Sequence, residues 1–269
     1  MKRVIRLSGL LLATVLLHAS CSVVPVTGRK QLTVIPSSQM IALGNDSYAQ
    51  VLAGSELSTN AIYVNMVRSV GERITRAVEQ YMKINNLESA LEGYNWQYNV
   101  IVSEQLNAWC MPGGQIAFYE GIIPVCGDES GVAVVMGHEI AHAVARHGNE
   151  RMTQQLAVQL GGIALSEALK NEPERTMDLA MLAFGVGAQV GVLLPYSRTN
   201  ETEADELGLY FMAMAGFDPR AAPRFWERMN QGGGSRPPGF LSTHPNPENR
   251  IARLNQIMPK ALEYYNSGK

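Results

Sequence analysis

Apolar residues recur at helical spacing over most of this chain and alternate over two short stretches. Between Gln39 and Leu91 the pattern is helical, and Ile62, Met66, Val70, Ile74 and Val78 fall on one stripe. Tyr94 to Val102 switches to a period of two, with Trp96, Tyr98, Val100 and Val102 on one side and Gln97 and Asn99 on the other. Met111-Pro112-Gly113-Gly114 makes a turn, and Gln115 to Tyr119 returns as a second strand. Asp128, Glu129 and Ser130 open a long apolar helix that runs to Gly148, with Arg146 and His147 in its last turn. That order of charges suits the helix dipole. Two apolar, glycine-containing helical stretches follow between Met152 and Leu194, broken at Lys170-Asn171-Glu172-Pro173. Leu179 to Leu194 is interrupted by Gln189 and glycines and is shorter than the ~18 apolar residues of a membrane span, so it reads as a buried helix. Pro195 ends it, another helix runs from Ser197 to about Ala215, and a Gly/Pro-rich loop spans Gly232 to Gly239. A last helix, Pro247 to Met258, has Asn246 placed to cap it. The pattern predicts an α+β fold, predominantly α-helical with a small sheet, and no internal repeat.

The first residues belong to no such element. Lys2, Arg3 and Arg6 precede an apolar run from Leu7 to Leu17, and Ala19 and Ser20 lead into Cys21. A positive start, a short apolar core and small residues at a cleavage point make residues 1–20 a signal peptide. A cysteine directly after that point resembles a bacterial lipoprotein signal, in which Cys21 receives lipid. His18 stands where such signals usually carry an aliphatic residue, and the alternative is simple secretion with Cys21 in a tail. Ser22 in place of aspartate points, by the same resemblance, to the outer membrane, facing the periplasm. Residues 21–40 are expected to be a lipid-anchored tether and residues 41–269 one catalytic domain. With Cys21 used, Cys110 and Cys126 are the remaining thiols in an oxidising compartment and are expected to pair, the alternative being two separate buried thiols. A net charge of -2 gives no basic footprint for nucleic acid.

The chemistry is carried by His138-Glu139-Ile140-Ala141-His142. Helical residues four apart share a face, so two imidazoles can converge on one zinc ion. Glu139 lies about 100° around the helix, near enough to act on water without being a ligand. Zinc there would acidify a water and polarise a carbonyl, with Glu139 as general base. The bland alternative, two partly buried histidines beside a surface glutamate, would be costly inside a helix as apolar as Val132, Val134, Val135, Met136, Ile140 and Val144 make it. His147 falls about 180° from His138 on a continuous helix and is expected to be solvated. A peptidase zinc needs a third protein ligand. Glu201 is chosen, on the helix after Pro195, with Ala204 and Gly208 on its face to allow close approach. Asp205 would accept an imidazole N–H and so fix its tautomer. Glu203 and Glu206 are expected on a solvated face.

Several separated motifs in order make the chain resemble the M48 family of zinc metallopeptidases, which contains the HtpX-like and Oma1-like enzymes. They are Asn107-Ala108-Trp109, Pro112-Gly113-Gly114, His138 to His142, Ser197-Arg198, Glu201 to Asp205 and Thr243-His244-Pro245. The resemblance runs from Leu43 to Met258 and is nearest to periplasmic lipoprotein members. It implies a zincin-like fold, endopeptidase activity with one Zn2+ on His138, His142 and Glu201, and Glu139 as base. It also implies unfolded or damaged envelope proteins as substrates. The stretch from Gly121 to Ser130 departs from the family pattern. By the same resemblance Asn107 to Gly114, with Asn107, Gly113 and Gly114 as candidate substrate contacts, forms a sheet edge that takes an extended peptide by strand addition. The alternative for this segment is a structural hairpin. His244 is placed in the active site, either donating to the oxyanion or occupying zinc's open position at rest; the alternative is a histidine packing against the last helix. Two rival functions remain: a chaperone-like assembly factor with little proteolysis, and a structural lipoprotein without metal.

Overall fold

The structure is a computed structural model, and it describes residues 21–189, 193–231, 240, 244 and 249–267. The expected signal peptide, the expected Gly/Pro-rich loop and the expected cap at Asn246 lie outside these residues.

The helix that carries both histidines is the centre of the molecule. We number the helices along the chain, so this one is α4 (Glu129–Val144), and nearly all of it is buried. Asp128 caps it by accepting the Gly131 N–H at 2.8 Å. On one flank lies α2 (Ala61–Ile84), whose Asn60 cap accepts from Ile62 and Tyr63. Val67, Val70, Ile74, Val78 and Met82 of α2 are fully buried, whereas Ile62 is 71% exposed, so the apolar stripe starts a turn later than its sequence spacing suggests. On the other flank lies α7 (Leu194–Met214). There the backbones nearly touch: a Cβ on Gly137 would stand 2.7 Å from the Gly208 carbonyl oxygen, and one on Gly208 would stand 2.7 Å from the His138 nitrogen. That approach brings α7's first half to the metal helix. Helices α8 (Ala221–Gln231) and α9 (Arg250–Ser267) close the core over α7. α9 continues through Pro259, well past the expected end at Met258.

A three-stranded sheet covers the top of α4, in the order β3 (Gln97–Ile101), β5 (Gln115–Tyr119), β4 (Ala108–Met111). β5 runs parallel to β3, with Gln97 opposite Gln115, and antiparallel to β4, with Ala108 opposite Phe118. β4 is therefore an edge strand beside the metal helix. Gly113 and Gly114 turn β4 into β5 with φ of 103° and 91°, and a Cβ on Gly114 would collide with the Trp96 ring at 2.6 Å. Only glycine satisfies both demands.

Within residues 21–40, β1 (Cys21–Val23) and β2 (Lys30–Leu32) form an antiparallel hairpin, Val24 is fully buried, and α1 (Ser37–Ala53) follows at once. Two expectations are corrected here. The metal helix does not reach Gly148. Arg146 adopts a left-handed conformation (φ 59°, ψ 33°), which stops α4 and redirects the chain into α5 (His147–Ala168). The stretch after Leu179 is not buried: α6 (Glu174–Ala188) buries no residue, and Leu179, Leu182 and Val186 are 57–66% exposed. It forms a hairpin with α5, packing Phe184 on Gly161 and Gly162.

Cys110 and Cys126 are free thiols, which overturns the expected bridge. The Cys110 backbone lies beside Glu139. Cys126, ending the single turn α3 (Ile123–Cys126), packs its backbone on Gly131. Those two contacts sit about 12 Å apart along α4, beyond the ~7 Å between Cα atoms that a disulfide spans. Burial raises the pKa of both thiols and keeps them unreactive. Unfolding in denaturant without reductant should therefore expose both to alkylation, and mass spectrometry should find both labelled; a mass two protons short, with neither labelled, would restore the bridge.

Candidate metal centre

His138 and His142, one turn apart on α4, point the same way, with 3.1 Å between their Nε2 atoms. Glu201 arrives from α7, with its Oε2 3.3 Å from His138 Nε2 and its Oε1 3.4 Å from His142 Nε2. Two imidazole nitrogens and the two oxygens of one carboxylate thus converge on one point. For metal–ligand bonds of about 2.0–2.1 Å the tetrahedral edge is about 3.3 Å, so the residues fit zinc in both spacing and chemistry. The electrostatics agree. Burial alone would lower the His138 pKa, yet Asp205 and Glu201 outweigh it and raise it to about 10. Burial would likewise raise Glu201, but the surrounding imidazoles hold it well below the usual carboxylate range. This donor set calls for a positive charge at its centre.

His244 joins the same cluster from far along the chain. Its Nδ1 lies 3.2 Å from His138 Nε2 and 3.1 Å from Glu201 Oε1. All four donor atoms, one each from His138, His142, Glu201 and His244, fall within 4.8 Å of one another. The His244 ring stacks on Phe240 with 4.6 Å between centroids, and the His244 backbone N–H donates to the Phe240 carbonyl. Its Nε2 faces Glu139 Oε1 at 3.4 Å. Glu139 is 3% exposed, and among the described residues that oxygen has no hydrogen-bond partner. Burial raises its pKa.

Behind the donors stand charged residues, several of which the sequence did not single out. Asp205 Oδ1 lies 3.1 Å from His138 Nδ1. Arg250, the first residue of α9, donates to Asp205 at 2.6 Å and to Glu201 at 3.0 Å, with its guanidinium 3.8 Å from the Trp226 ring centroid. Sequence reasoning missed Arg250; its signal was an arginine on the last helix close in sequence to His244. His147 and Glu203 are corrections. Both were expected in solvent, and they are 4% and 7% exposed. His147 Nδ1 lies 2.9 Å from His142 Nδ1, and its Nε2 lies 3.0 Å from Glu203. The wheel argument failed because α4 ends before His147. Burial works to raise the pKa of Glu203, but His147, Thr27 and Arg29 outweigh it and hold it at about 2. Glu206 is half-buried, bonded by Tyr210 and near Arg253.

A cleft of about 930 Å³ opens on the donors, bounded by Glu139, Trp109, Pro112, Gln154 and Leu194. Asn107, Gly113 and Gly114 are not among its lining residues. Asn107 folds its side chain back to accept the Ala108 N–H at 3.0 Å, and the Gly113 and Gly114 carbonyls accept from Asn95 and Gln97. Trp109, Cys110 and Pro112 form this wall instead.

A model of peptidase family M48 matches residues 69–258. Among curated relatives, the mitochondrial metalloendopeptidase OMA1 of Schizosaccharomyces pombe is 32% identical over 240 residues, 88% of this chain and 66% of that protein. The Arabidopsis thaliana protein of the same name is 34% identical over 194 residues, 71% of this chain and 38% of the relative. The beta-barrel assembly-enhancing protease of Escherichia coli is 28% identical over 258 residues, 91% of this chain and 50% of the relative. The chain thus spans between 38% and 66% of these relatives' lengths.

Proposed function

Because this chain belongs to peptidase family M48, we propose that it is a zinc-dependent endopeptidase that cleaves unfolded or damaged proteins of the bacterial envelope. The observation that carries the reading is the convergence of His138, His142 and Glu201 donor atoms with the buried carboxyl of Glu139 beside them. Zinc bound there supplies a Lewis acid that acidifies water and polarises a scissile carbonyl. Glu139 accepts the proton of the attacking water and passes it to the amine that leaves as the C–N bond breaks. Asp205 and Arg250 hold the donors in place while this happens. The test is metal analysis together with cleavage of an unfolded outer-membrane protein by the wild type and a Glu139→Gln variant.

His244 is the second element of the proposal. Its Nδ1 stands among the metal donors, where a fourth ligand would close the position a substrate carbonyl needs. We therefore expect His244→Ala to raise peptide turnover while zinc content stays at one per chain. A fall of about a hundredfold would instead assign His244 to oxyanion stabilisation, and an unchanged rate would remove it from the chemistry.

The envelope location rests on the signal ending at Cys21 and on similarity to a protein named for β-barrel assembly; the OMA1 relatives are named as mitochondrial. Among the described residues no helix is long and apolar enough to cross a membrane. With lipid on Cys21, the anchor would adjoin the β1–β2 hairpin directly. Cys21→Ser should move the protein from the membrane pellet to the soluble periplasm, since buried acyl chains contribute about 0.8 kcal/mol per methylene. Unchanged pelleting would place the attachment elsewhere.

A further inference from the structure

We propose that His147, backed by Glu203 and Arg29, is a positioning residue for the metal ligand His142, and that the N-terminal hairpin thereby sets the affinity of the site. The inference rests on the metal reading above and concerns residues that lie outside the donor set. Two imidazole nitrogens 2.9 Å apart, His142 Nδ1 and His147 Nδ1, can bond only if one carries a proton and the other a lone pair. Which is which is decided further out. Glu203 Oε2 receives the Arg29 Nε–H at 2.8 Å and lies 3.0 Å from His147 Nε2. A carboxylate paired with arginine is an acceptor, so His147 Nε2 must be the donor. In the neutral ring His147 Nδ1 is then the acceptor, and His142 Nδ1 must donate to it. That leaves the lone pair of His142 on Nε2, aimed at His138 and Glu201, as a metal ligand requires. The chain of bonds fixes both the tautomer and the ring plane of His142.

The outer end of this relay belongs to the segment that precedes the fold's first long helix. Arg29 lies in the connection between β1 and β2 and donates twice to Glu150, at 3.0 and 2.8 Å, as well as to Glu203 and Asn200. Thr27, from the same connection, donates to the other Glu203 oxygen. Glu150 and Glu203 are buried, and Arg29 is the cation that pairs with both. The left-handed Arg146 is what turns His147 back onto His142. A non-glycine residue in that conformation is strained, so the turn marks a backbone held in place by its surroundings.

The test measures zinc affinity by chelator competition on the full chain, with apo-protein melting followed in parallel. His147→Leu keeps the bulk of the ring and loses both bonds; its zinc affinity should fall about 10–100-fold. His147→Gln can offer a carbonyl to His142 and an amide N–H to Glu203, so it should recover most of that loss although its packing is no better. Arg29→Met, distant from the metal, should also weaken zinc binding. Wild-type affinity in His147→Leu, or equal losses in His147→Leu and His147→Gln, would overturn the inference while leaving the metal site standing. A wild-type chain that binds no zinc would take down the metal reading and this inference with it.

Discussion

Glu139→Gln is expected to lower cleavage of an unfolded outer-membrane protein by about 10²–10⁴-fold, the usual range for loss of a general acid–base group, with zinc content unchanged. The substitution keeps size and shape in a site that is 3% exposed, so it opens no cavity. It also leaves the donor set alone, because the four atoms that cluster come from His138, His142, Glu201 and His244. What changes is proton affinity: an amide cannot take a proton from water or return one to an amine. The variant separates the enzyme from a chaperone-like assembly factor, since binding of unfolded chains needs the cleft and not the proton transfer. Cleavage by Glu139→Gln at the wild-type rate would end the general-base assignment. A variant that is inactive as a peptidase yet restores envelope function in cells would favour the binding factor.

The sequence made the inner part of this site legible because helical geometry acts locally. His138 and His142 share a face by spacing alone, and Glu201, Ala204 and Asp205 share one on α7, so each half follows from a period of 3.6. Gly208 pointed to a close approach, and the structure puts it against Gly137 and His138. The failures came where a helix ended. His147 was projected onto a wheel that α4 leaves at Arg146, an arginine in a conformation that favours glycine and that no composition rule flags. Glu203 was then left without its histidine partner and was assigned to solvent. Arg29 and Arg250 were invisible for another reason. Each compensates carboxylates more than forty positions away, and no local pattern records such a pairing. The exposed face of α6 reversed the usual inference from apolar content to burial; nothing among the described residues covers Leu182 or Val186.

Glu201→Gln should release most of the zinc, a loss of more than about a hundredfold in affinity and so beyond the 10–100-fold of an outer partner. The argument turns on charge as much as on the lost bond. Glu201 lies among two α4 imidazoles, His244 and the guanidinium of Arg250, which donates to it at 3.0 Å. With a neutral amide there, Asp205 at 2.6 Å is already engaged by Arg250, so a cation would enter a site that has lost the carboxylate charge of Glu201. Breaking a buried pair of this kind costs about 3–5 kcal/mol, so the apo-protein should also melt at a lower temperature. The variant further distinguishes the candidate donors. If His138, His142 and His244 formed a sufficient set, Glu201→Gln would retain its metal and His244→Ala would lose it. The expected order is the reverse, and zinc measured after gel filtration in both variants decides between them.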